Sequence, residues 1–206
     1  QGGLTPEIAL AGEVAAAVGI PVFAMVRPHS RTFAVSPGDL DAMVRDIRAL
    51  RTAGVAGVVF GVLRKDGGID EEALARLLDA AAGLGVTFHR AFDEVPDQEH
   101  ALAVLLGYPA VRQVLTSGGR ASALEAADRL RRLVDLTGGT SLSVMAGGGL
   151  TVESLPDFLR ASTVRQVHLG RSVRANGDPD APVDPARVAR ARATLDLAPG
   201  QGHPAP

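Results

Sequence analysis

The chain has 206 residues, enough for one sizeable core and too few for two full-sized domains. A net charge of −2 and 3% aromatics argue against a dedicated nucleic-acid or membrane surface. The absence of Cys removes disulfides and thiolate metal sites and suits the cytoplasm, and Lys65 as the only Lys leaves Schiff-base chemistry almost without a candidate.

The chain opens on Gln1 and a Gly-Gly loop, which reads as an interior cut. Six strand-like segments follow in order: Ile20–Arg27, Val55–Leu63, Val86–Phe92, Arg112–Ser117, Leu142–Gly147 and Arg165–Gly170. Each is short, Val-rich and nearly continuously apolar, as strands covered on both faces should be. Between them run Ala-, Leu- and Arg-rich segments with helical spacing, such as Glu71–Ala82 and Ala121–Leu136. Thr5-Pro6, Ser36-Pro37 and Asp184-Pro185 each put a capping oxygen before a proline, and Asp39 completes a weak capping box with Ser36. Gly19, Gly54, Gly85 and Gly138 stand where helices should stop. A final helix is expected over Pro185–Leu197 and a disordered tail over 198–206.

Strict alternation of strand and helix means a parallel sheet, which an open doubly wound sheet or a barrel can supply. No GxGxxG follows the first strand, and glycine-rich strand ends come late in the chain. Both favour an α/β fold of the TIM (β/α)8 type over residues 1–197, with six βα units readable and two staves lacking.

In a barrel, chemistry sits at the C-terminal ends of strands. The best anion site there is the turn Gly147, Gly148 and Gly149 together with Gly170, Arg171 and Ser172, because bare backbone N–H groups close on an oxyanion. The same three glycines also suit a turn that needs positive φ. Arg27, held extended by Pro28, suits a carboxylate or phosphate, or a rim acid. Thr116 and Ser117 can bind an anion or cap the next helix. His89, Arg90 and Asp93 form a candidate acid–base group, although Arg90 and Asp93 can equally brace the rim as a pair. His168 shares a strand face with Gln166 and Gly170 and would reach the barrel mouth if that face is the lumen. His29, His100 and His203 carry no signal.

The segments GGLTPE (2–7), VRP (26–28), GVVFGVLRKDGGID (57–70), VTFHRAFD (86–93), VLTSGG (114–119), MAGGG (145–149) and VHLGRS (167–172) together resemble the CutC copper homeostasis family over residues 1 to about 172. The resemblance implies a cytosolic TIM barrel associated with copper, and a strand–helix–strand segment ahead of the GGLTP loop that ends in Arg-x-Glu-Leu-Cys. A βαβ unit takes roughly 30 residues or more, so about that many are expected to be missing. The family's usual Arg-Gly-Gly-Asp is replaced by His29-Ser30-Arg31-Thr32. Copper is implied by the resemblance alone; its ligands here would have to come from Met25, Met145, His89 or His168, with no thiolate to select Cu(I).

Three readings stay open: a CutC-type barrel with an anion pocket, an enzyme acting by acid–base chemistry on a small phosphorylated or acidic metabolite, and a non-catalytic remnant. The expected partner is a small anionic ligand, with neither nucleic acid nor membrane. Unpaired sheet edges would invite a homo-oligomer.

Overall fold

A computed structural model of the chain describes residues 3–198. The tail expected over 198–206 lies outside the described residues apart from Ala198. The described residues form two compact units, divided between Val114 and Leu115.

In the first unit the elements alternate as α1 (Ile8–Ala17), β1 (Phe23–Met25), α2 (Pro37–Thr52), β2 (Gly57–Phe60), α3 (Glu71–Ala80), β3 (Gly85–Phe88), a 3-10 turn (Arg90–Asp93), α4 (Gln98–Leu106) and the start of β4 (Val111–Thr116). The strands pair in parallel, Phe23 with Gly57 and Gly57 with Gly85, so one layer of residues runs straight across β1, β2 and β3. Between β3 and β4 the register slips at Val86/Thr87, where the Thr87 hydroxyl donates to Gln113 Oε1 at 2.9 Å. Helices carry the other half of this core: Met43, Ile47 and Leu50 of α2 and Leu74 and Leu77 of α3 are at most 1% exposed. Their spacing of three and four is what sets one apolar stripe against the sheet.

The second unit holds α5 (Ala127–Leu136), β5 (Ser143–Gly147), α6 (Leu155–Ser162), β6 (Gln166–His168) and α7 (Pro185–Asp196), with a 3-10 turn (Ala123–Ala126) before α5. β5 and β6 pair in parallel, Gly147 opposite His168. α7 buries only Ala191, and Arg187 ties it to the unit by donating to Ser172 O (2.6 Å) and pairing with Glu153. Its N-terminus is capped by Asp184, which accepts from the N–H groups of Ala186 (2.9 Å) and Arg187 (3.4 Å). Asp184→Ala should destabilise α7 by about 1 kcal/mol, seen as faster amide exchange confined to that helix.

All six expected strands are present, five of them shorter than expected and β4 of the same length but one residue earlier. Three local expectations are corrected. The segment 86–92 does not remain extended: β3 stops at Phe88, and His89 caps the 3-10 turn by accepting the Ala91 N–H. Thr5 does not cap α1, which starts at Ile8 behind Glu7; its Oγ1 instead accepts the N–H of Arg27 at 2.9 Å while its own N–H donates to Arg27 O. Gly85 does not end a helix but opens β3, because α3 already closes at Ala81. The caps at Ser36 and Asp184 form, the first as a reciprocal box with Asp39.

Candidate functional site

The first unit's strand ends bring three residues side by side. Met25, Val59 and Thr87 share a register layer. Two residues further on, Arg27, Gly61 and His89 are next to one another on the same sheet face, because side chains in parallel strands alternate with a period of two. The ladder continues to this point, since Val26 N donates to Val59 O (2.8 Å) and His89 N to Phe60 O (2.9 Å).

Gly61 is the middle member for a steric reason. A Cβ there would sit 2.6 Å from His89 Nδ1 and 2.8 Å from its Cε1. The missing side chain is the space that the imidazole occupies. Phe33, from the loop between β1 and α2, contacts both neighbours: its ring is 4.9 Å from the His89 ring at 60°, and the Arg27 guanidinium carbon lies 4.3 Å over its face. Cation–π contact of this kind contributes about 0.5–2 kcal/mol. The loop is fixed by Leu63 N donating to Phe33 O (2.9 Å) and by Arg27 Nη2 donating to Ser30 O (3.2 Å).

His89 is 4% exposed, and its Nδ1 accepts the Ala91 N–H at 3.1 Å. Burial, helped by the positive charge of Arg27, pushes its pKa down to about 4. It is a neutral imidazole at pH 7. Arg90 and Asp93 pair with each other at 2.7 Å, and the Asp93 side chain, 9% exposed, also takes a long bond from Gln98 Nε2. This pair braces the 3-10 turn.

A residue the sequence reading passed over stands in the same loop. His29 Nε2 lies 3.3 Å from Asp39 Oδ2, and its Nδ1 is buried with no hydrogen-bond partner among the described residues. Asp39 also accepts from the Ser36 N–H and hydroxyl, and these bonds, led by the hydroxyl, hold its carboxyl down at about 2. The available signal was the capping box itself, ten residues downstream of His29.

In the second unit the expected anion-binding groups are largely engaged in local structure. Thr116 Oγ1 accepts the Gly118 N–H (2.8 Å), and the Ser117 hydroxyl donates to Arg120 O (2.6 Å). Gly148 and Gly149 have φ of 102° and 71°, and Gly148 O accepts the Ala123 N–H. A Cβ on Gly149 would lie 2.3 Å from Ser122 Oγ, and one on Gly147 would lie 2.7 Å from Leu115 Cδ1. The triple glycine is thus explained by a left-handed turn packed against the 3-10 segment. His168 and Arg171 are exposed, Gly170 borders open space, and the buried Ser172 Oγ has no hydrogen-bond partner among the described residues.

The sequence profile of the CutC family matches residues 1–173. The chain belongs to the CutC family. A CutC family protein of Caulobacter vibrioides is 45% identical over 168 residues, which is 81% of this chain and 66% of that relative. The human copper homeostasis protein cutC homolog is 40% identical over 178 residues, 86% of this chain and 64% of its own length. The match therefore spans slightly less than two thirds of these CutC relatives. The solved structure of the CutC protein of Streptococcus agalactiae superposes with a TM-score of 0.77 at 29% identity, covering 81% of this chain and 82% of that one. It supports a barrel-type α/β fold.

The family is linked by name to copper homeostasis, which makes copper cargo to be tested against the donors present. The His, Asp and Glu donors among the described residues do not gather into a site for it. The chain has no Cys, among the described residues no three His, Asp or Glu side chains gather as ligands, and Nδ1 of His89 is taken by Ala91. Among the described residues no helix is long and apolar enough to cross a membrane.

Proposed function

We propose that the chain binds a small anionic metabolite at the C-terminal ends of β1, β2 and β3, with Arg27 supplying the charge and His89 a neutral polar contact beside it. One observation carries this reading: the register layer Arg27–Gly61–His89, in which a half-buried guanidinium stacked on Phe33 stands beside a buried, uncharged imidazole. A planar fork held on an aromatic face is pre-organised for an oxyanion. A Cys-free composition supports the cytoplasm as its setting. The turn Gly147–Gly149 with Gly170–Ser172 has weaker support as an anion cradle, because packing already accounts for its glycines. Proton transfer by His89 and His168 also has weaker support, since one is neutral far below pH 7 and the other is exposed.

The test is calorimetric titration with oxalate, malonate and inorganic phosphate. At least one should bind, and Arg27→Gln should weaken it about 10-fold or more, the usual loss for a charged hydrogen bond. If none of the three binds, or Arg27→Gln binds as the wild type does, the reading fails.

A further inference from the structure

His89 has two ring nitrogens, and the backbone has already assigned one. The Ala91 N–H donates to Nδ1 at 3.1 Å, so that nitrogen carries a lone pair. In a neutral imidazole the proton must then be on the other nitrogen, Nε2. Among the described residues Nε2 meets no hydrogen-bond acceptor, and it is not one of the sealed-off polar atoms. The ring cannot easily change its pose. Gly61 leaves room on one side only for this position, Phe33 lies across it at 4.9 Å, and Phe88 meets it edge-on at 6.3 Å.

We infer that His89 is locked as the Nε2–H tautomer and acts as a neutral hydrogen-bond donor to a carboxylate or carbonyl oxygen of the ligand, not as a base that removes a proton. This rests on the reading of the β1–β3 strand ends as an anion site and narrows its ligand class. A base would need its lone pair directed at the substrate, and here the lone pair faces Ala91. A cationic imidazole would need relief from burial and from Arg27, and neither is present. A neutral donor polarises an oxygen without giving up its proton, which suits a carboxylate or carbonyl oxygen. With Arg27 two strands away in the same layer, the matching ligand carries a carboxylate together with a second carboxylate or carbonyl oxygen, as oxalate does.

The structural alternative is that His89 only caps the 3-10 turn. Two variants separate these roles. His89→Asn places an acceptor near the Nδ1 position and keeps the cap while removing the donor; His89→Gln restores an amide N–H close to the Nε2 position. Two-bond proton–nitrogen NMR on the whole chain at neutral pH should show a protonated ε2 and an unprotonated δ1 nitrogen, with the ε2 proton resonance moving on addition of oxalate. His89→Asn should keep the wild-type melting temperature within a few degrees and lose oxalate affinity about 10-fold or more, and His89→Gln should recover part of it. A δ1-protonated or doubly protonated ring at neutral pH overturns the inference, as does His89→Asn binding oxalate like the wild type. Binding of inorganic phosphate alone, still sensitive to Arg27→Gln, removes the proposed role of His89 and leaves the anion site standing. Loss of every Arg27-dependent titration removes both.

Discussion

Acidification from about pH 6.5 to about pH 4 is expected to cost the first unit about 3 kcal/mol through His89 alone. In the unfolded chain this imidazole takes a proton near its ordinary value of 6.5, whereas in the folded unit it stays neutral until about pH 4. Across that window the unfolded state binds more protons, so stability is fully present above pH 6.5, falls as the pH drops, and stops falling on this account below about 4. Asp39 acts in a lower window. Its carboxyl, held at about 2 by Ser36, adds stability above 3.8 that is lost as the pH falls through 2. The chain has one Tyr and no Trp, and Tyr108 lies in the first unit with its hydroxyl donating to Glu71 at 2.9 Å. Its fluorescence therefore follows that unit in urea titrations at a series of pH values. His89→Asn should flatten the pH 6.5-to-4 slope, and an unchanged slope would mean that His89 is not the group responsible.

Gly61→Ala is expected to destabilise the first unit by about 1–3 kcal/mol and to abolish oxalate binding. The new methyl would be 2.6 Å from Nδ1 and 3.0 Å from Ala91 Cβ, so the imidazole must leave its place and give up the Ala91 N–H. Truncating the ring in His89→Ala withdraws both of its clashing atoms. The double variant should therefore be less destabilised than the sum of the two single changes, by about 0.5–3 kcal/mol of coupling. Simple additivity would show that the glycine is needed for something other than the ring.

How much of this was legible from the residues alone depends on what each inference used. The strands were visible as short apolar runs; in β2 and β3, Val58, Phe60, Val86 and Phe88 are indeed at most 1% exposed, whereas no residue of β6 is buried. Family membership was visible in motifs that survive in sequence order. The end of the third strand was not, because TFHRAFD is apolar enough to continue; a single backbone N–H folding back onto His89 ends it. Arg27 and His89 were each picked out, but their adjacency was hidden in the register, which only the pairing Met25–Val59–Thr87 reveals. Gly61 was overlooked for the same reason. Thr116 and Ser117 had two uses open to them, and internal turn bonds took both hydroxyls. His29 looked inert since its partner, Asp39, had already been assigned to a helix cap.

That double use of Asp39 bears on the proposed anion site at the ends of β1, β2 and β3. The segment 28–36 is moored at its start where Arg27 meets Thr5, in its middle where Phe33 meets Leu63, and at its end by the knot of Ser36, Asp39 and His29. A strap tied at three points has little freedom to swing shut over a visitor. An anion bound as proposed would meet a preformed surface whose ordering cost was met during folding, and the first turn of α2 must form before that surface is complete.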